Sequence, residues 1–155
     1  MARTARPARP TLVAAGLAVS ALLLGACAPV TTQGAYAPSD GTLVEFDDVA
    51  VRGLNLMVVA AEEGAEGNLL GALANETDEE VEFVLTASGA APVAVTVPAQ
   101  GTVYLGTDGE ETLLDPVTTA PGGNIEATLE ASGAAENFYL PVFDGTLPEY
   151  ADYLP

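Results

Sequence analysis

Cys27 is the only thiol in the chain, and it directly follows Leu24-Gly25-Ala26, a leucine and two small residues that close an apolar run. A thiol in that position is a nucleophile that can be alkylated, while small residues ahead of it mark a cleavage point. One cysteine cannot form an intramolecular disulfide, and without a single histidine there is no imidazole to activate it or to share a metal. Ser-His-Asp and Cys-His catalysis and ordinary zinc sites are excluded on the same ground. The chain also contains no lysine, so the Gly-x-x-x-x-Gly-Lys phosphate loop is absent.

Carboxylates are the remaining chemical resource, with doublets at Asp47-Asp48, Glu62-Glu63, Glu79-Glu80 and Glu110-Glu111. Glycoside cleavage needs two carboxylates facing one another across a cleft. Sequence neighbours on a strand point to opposite faces, and the chain has no tryptophan for sugar stacking, so the doublets read as solvated turn charges. Calcium is the ion that such groups could hold. Asp108-Gly109-Glu110-Glu111 and Asn75-Glu76-Thr77-Asp78-Glu79 each offer two or three oxygens, short of the six or more ligands required, and no metal site is assigned. Asn75-Glu76-Thr77 reads as a turn.

The elements that position Cys27 begin with the segment before it. Arg3, Arg6 and Arg9 form a positive amino-terminal region, and Thr11 to Leu24 form an apolar stretch shorter than the ~20 residues a spanning helix needs. Residues 1–26 therefore read as a cleaved export signal. Leu24-Gly25-Ala26-Cys27 resembles the lipobox of bacterial lipoproteins. That resemblance implies cleavage between Ala26 and Cys27 and a diacylglyceryl group on the Cys27 sulfur, the one non-protein group expected, with no other cofactor. It also implies a membrane partner and a location on the extracytoplasmic face of the cell membrane. Two acyl chains hold firmly, because each buried methylene contributes about 0.8 kcal/mol and one chain alone binds marginally.

Processing at that point leaves Arg52 alone against 22 carboxylates, a formal balance of −21 for the mature chain. Such a surface repels nucleic acid and anionic headgroups, so no nucleic-acid partner is expected. Residues 27–41 comprise the lipidated cysteine and a linker rich in Pro, Thr, Ser and Gly, which as a coil would reach on the order of 20 Å.

Residues 42–155 have the size and the patterning of one β-domain. Ile125, Ala127, Leu129 and Ala131 alternate with Glu126, Thr128 and Glu130. Val93, Val95 and Val97 alternate in the same way, as do Val81, Phe83 and Leu85, and this period of two is that of half-buried strands. Leu54 to Ala61, Leu69 to Ala74, Val103 to Leu105 and Phe138 to Phe143 supply further strands, separated by Gly-, Pro-, Asn- and Asp-containing turns. Seven or eight short strands without an amphipathic helix predict an all-β fold, an antiparallel β-sandwich of immunoglobulin-like or cupredoxin-like arrangement. Pro141 is expected to put the last strand at an edge or a bulge.

Four segments resemble the actinobacterial lipoproteins of the LpqE type: Val51-Arg52-Gly53-Leu54-Asn55-Leu56, Gly67 to Asn75, Val97-Pro98-Ala99-Gln100-Gly101, and the tail from Pro141 to Ala151. The resemblance implies a lipid-anchored β-sandwich without an established activity. More distantly, the layout resembles the periplasmic copper chaperones of the PCu(A)C type. Those hold Cu(I) with histidines and methionines. Here Met57 is the only methionine beyond the signal, and it reads as a core or strand residue.

Leu147 to Pro155 combines Tyr150 and Tyr153 with leucines and prolines. It reads either as a tail docked over an edge strand or as a contact patch for a partner, with Tyr150 and Tyr153 as the contact residues. Two functional expectations result: a non-enzymatic module that binds an envelope protein or ligand, and a metal-handling protein, copper-chaperone-like or calcium-binding.

Overall fold

The alternating segments fold as strands, and the apolar side of each is its buried side. Residues 39–107 and 112–155 are described by a computed structural model, and more than half of them lie in nine strands. In β8 (Asn124–Ala131), Ile125, Ala127, Leu129 and Ala131 are buried while Glu126 and Glu130 are exposed. Val81, Phe83 and Leu85 are likewise the buried positions of β4 (Val81–Ala87). The other long strands are β2 (Val51–Ala60), β3 (Gly67–Asn75), β5 (Val93–Val97), β6 (Gly101–Leu105) and β9 (Ala134–Phe143). Two short strands, β1 (Thr42–Glu45) and β7 (Leu113–Leu114), carry too few alternations to announce themselves in sequence.

The fold class is all-β, with a mixed sheet in the order β5-β4-β8-β9-β2-β3-β6, β1 paired to β2 and β7 paired to β3. Every pairing is antiparallel except β2 with β9. Among the described residues the only helix is a single 3-10 turn, Ala151–Tyr153, and none is long and apolar enough to cross a membrane. The two ends of the order, β5 and β6, are consecutive in the chain and approach one another, so the sheet curls nearly into a barrel. One apolar core fills it, and Phe83, Leu56, Leu129, Leu140 and Val58 are all fully buried there. Replacing such a residue by alanine costs on the order of 2–5 kcal/mol, because the cavity collapses only in part.

β9 is an interior strand, not the edge that Pro141 allowed, and the irregularity beside the proline lies on its partner, where Gly122 and Gly123 both bond Val142. The reason is local. Residues up to Pro141 pair with β8, Pro141 lying opposite Asn124 at the very start of that strand, and Val142 and Phe143 then pair in parallel with β2. Val142 still bonds on the β8 side, its N–H donating to Gly123 O (3.0 Å) and its carbonyl accepting from Gly122 N (2.8 Å), so the neighbouring Pro141 nitrogen faces the opposite side, ahead of the β2 pairing, and its missing N–H breaks no ladder bond. The β8–β9 hairpin closes on Ser132 (φ 52°) and Gly133 (φ 80°), the paired left-handed conformation of a type I′ turn.

Candidate functional site

Ala26, Cys27 and the first part of the linker lie outside the described residues, as do residues 108–111 with the Glu110-Glu111 doublet. The other expected residues can be placed. Asp47-Asp48, Glu62-Glu63 and Glu79-Glu80 are all exposed in turns. Among the described residues no three carboxylates converge as a metal would need. Arg52 is paired with Glu76, both side chains about half exposed, so the pair contributes little to stability.

Asn75 does not offer oxygens to an ion. It is 1% exposed, and its Oδ1 accepts from the Thr77 N–H (3.0 Å) and the Thr77 hydroxyl (2.7 Å). Its Nδ2 donates to the carbonyls of Glu79 (2.8 Å), Pro98 (3.1 Å) and Val97 (3.2 Å). The side chain ties the β3–β4 turn to the end of β5, a structural role that satisfies a buried amide. Asn68 acts similarly: its Nδ2 donates to Gly106 O (3.3 Å) and its Oδ1 accepts from Thr112 N (3.0 Å), joining the two ends of the segment between β6 and β7.

Met57 faces away from the main core and is 3% exposed. With Val59, Leu70 and Phe143 it forms an apolar platform on the outer side of β2, β3 and β9, and the C-terminal segment lies over it. Tyr150 is buried there, its ring centroid 5.1 Å from that of Phe143, with Tyr153 and Leu154 half-buried beside it. The tail therefore covers a sheet face rather than an edge strand. Tyr150 is accordingly a docking residue and not the exposed partner contact that its sequence context allowed. Its hydroxyl donates to Asp40 Oδ2 (2.5 Å), and burial, followed by that hydrogen bond and the Asp40 charge, pushes the phenol up to about 12. Asp144, at the start of the tail turn, is held below the usual carboxylate range by the Thr146 N–H.

A second surface was not visible in the sequence. On the outer side of β4, β8 and β9, pairing sets six polar residues in two rows. Thr86 lies beside Thr128, and Thr128 beside Asn137; in the next row Ser88 N donates to Glu126 O (2.9 Å), and Glu126 pairs with Tyr139. Thr128 Oγ1 donates to Asn137 Oδ1 (2.8 Å). These residues line a hollow of about 380 Å³. Tyr139 is 61% exposed, and its backbone is fixed from below by Thr42 Oγ1 donating to its carbonyl (2.6 Å). The outward alternation of Glu126 and Thr128 was readable, but nothing local shows which residues of β4 and β9 stand beside them.

No protein-family model matches the chain, and no curated protein matches it significantly.

Proposed function

We propose that the chain is a lipoprotein anchored on the extracytoplasmic face of the cell membrane, whose domain is a non-enzymatic binding or accessory module of the envelope. The observation that carries this reading is the order Arg3, Arg6, Arg9, apolar stretch, Leu24-Gly25-Ala26-Cys27. The absence of histidine and of any second cysteine from the sequence supports a binding role over nucleophilic catalysis. The resemblance to LpqE-type lipoproteins supports the same placement. We read the fold as a sandwich in which β5-β4-β8-β9 faces β1-β2-β3-β6, with the end of β9 joining the layers through its pairing to β2. The partners are the membrane, through the Cys27 diacylglycerol, and an envelope protein or ligand; the mature charge argues against nucleic acid. The metal-handling reading is disfavoured, since Met57 is buried beneath the tail and Asn75 Oδ1 is occupied.

The test is Cys27→Ala combined with acyl labelling and cell fractionation. The wild-type chain should take up labelled fatty acid and sediment with membranes, while the variant should stay unprocessed or be released. Unlabelled wild-type protein, or a correctly processed variant still retained on the membrane, overturns the anchor. Cross-linking in intact cells checks the binding role, which predicts capture of an envelope component.

A further inference from the structure

We infer that the hollow on the outer side of β4, β8 and β9 is a binding site for a neutral polysaccharide of the envelope. This names a ligand class for the binding module proposed above and rests on that reading. Adjacent strands lie about 4.8 Å apart and same-face residues about 7 Å apart along a strand, so two rows on three strands cover roughly one or two sugar rings. What they present is three hydroxyls from Thr86, Ser88 and Thr128, an amide from Asn137, a carboxylate from Glu126 and the exposed ring of Tyr139. A sugar needs donors and acceptors in its ring plane and a flat apolar surface for its C–H face, and this set supplies both.

Other ligand classes fit worse. An anion would meet Glu126 without a compensating cation, since Arg52, the one basic residue beyond the signal, is paired with Glu76. An acyl chain would bury the hydroxyl and amide groups without partners. An extended peptide adds to a free strand edge, whereas the hollow is a sheet face centred on β8, which is paired on both sides, to β4 and to β9. The platform is also rigid: the residues between the polar positions turn inward, and Ala127 and Phe138 pack on the main core.

The experiment is titration calorimetry on the processed, lipidated chain in a polyoxyethylene detergent, which carries no sugar headgroup. The probes are maltohexaose, cellohexaose and mannohexaose, with oligogalacturonate as the anionic counterpart. At least one neutral hexaose should saturate below about 10 mM, and oligogalacturonate should not bind. Tyr139→Ala and Asn137→Ala should each weaken binding by about tenfold or more without moving the melting temperature. Tyr139→Phe, which keeps the ring, should retain it, as should Tyr104→Ala, which removes an exposed tyrosine on β6. The inference falls if no neutral hexaose saturates, if oligogalacturonate binds as well as the neutral probes, or if Tyr139→Ala binds like the wild type. If the hexaoses fail while cross-linking in cells still captures an envelope component, the glycan assignment is overturned and the binding module is not. Anchoring is read separately through Cys27→Ala.

Discussion

The Tyr150 hydroxyl donates to the Asp40 carboxylate at 2.5 Å, joining the C-terminal segment to the residues that lead into β1. The bond has a direct pH signature. Tyr150 titrates near 10 when unfolded and at about 12 in the folded chain. Below pH 10 both states keep the proton, and this contribution to stability is complete. As pH rises from about 10 to about 12 the unfolded state loses the proton first, so the contribution is lost through that window. Thermal melts of the wild type should therefore fall from about pH 10 to about pH 12, and Tyr150→Phe should flatten that part of the profile. At about pH 7 the same variant should lose about 1 kcal/mol, the ordinary worth of one partly buried hydrogen bond. An unchanged alkaline profile in Tyr150→Phe would remove the Asp40 contact from the account.

Deleting residues 147–155 should uncover Met57, Val59, Leu70 and Phe143 together. The apolar area returned to water predicts a loss of about 2–4 kcal/mol, read as a lower denaturation midpoint. It also predicts stronger binding of a hydrophobic dye. A truncated chain that melts like the full one and binds no more dye would show that the platform is covered by something other than the tail.

How far the sequence revealed this arrangement depends on the range of the interactions involved. The faces of β4 and β8 were legible from Phe83 and Leu129, because alternation is a local property. The turn at Ser132-Gly133 is likewise a local signal, since two residues set it. The parallel pairing of Val142 and Phe143 with β2 was not, because it joins segments far apart in the chain. For the same reason the row Thr86, Thr128, Asn137 was hidden, although each residue was in plain view. Tyr150 could be seen as an aromatic in a tail, but not that Met57 and Val59 would turn outward beneath it. The Cys27 reading rests wholly on the few residues before it and lies outside the described residues.

Asn75 makes a sharper test of buried polarity than any exposed residue. Asn75→Ala removes the acceptor of Thr77 and takes one donor from the carbonyls of Glu79, Val97 and Pro98, of which Glu79 keeps the Thr77 hydroxyl and Pro98 keeps the Gly101 N–H. We expect a loss of about 2–4 kcal/mol, more than one hydrogen bond would explain, because several hydrogen bonds of one buried side chain are lost at once. Thr77→Val, which removes only the hydroxyl, should cost about 1 kcal/mol. Chemical denaturation of the two variants distinguishes them, and equal losses would mean that Asn75 acts only through Thr77.

Gly71 is set against a bulge in β2, where Asn55 takes a positive φ of 53° and the register shifts between Leu54 and Met57. Gly71 itself has φ 130°, and a Cβ there would sit 2.7 Å from the Leu54 carbonyl oxygen and 2.8 Å from that of Asn55. Both are backbone atoms in a paired strand and cannot rotate away. Gly71→Ala should therefore cost about 2 kcal/mol or more, adding steric displacement to the strain of a left-handed backbone. Gly64 separates the two effects. It has φ 86° with nothing within 4 Å of an added Cβ, so Gly64→Ala carries the backbone strain alone, about 1 kcal/mol. Denaturation midpoints should rank wild type above Gly64→Ala and Gly64→Ala above Gly71→Ala. The reverse order of the two variants would mean that β2 and β3 do not approach as closely as the bulge requires.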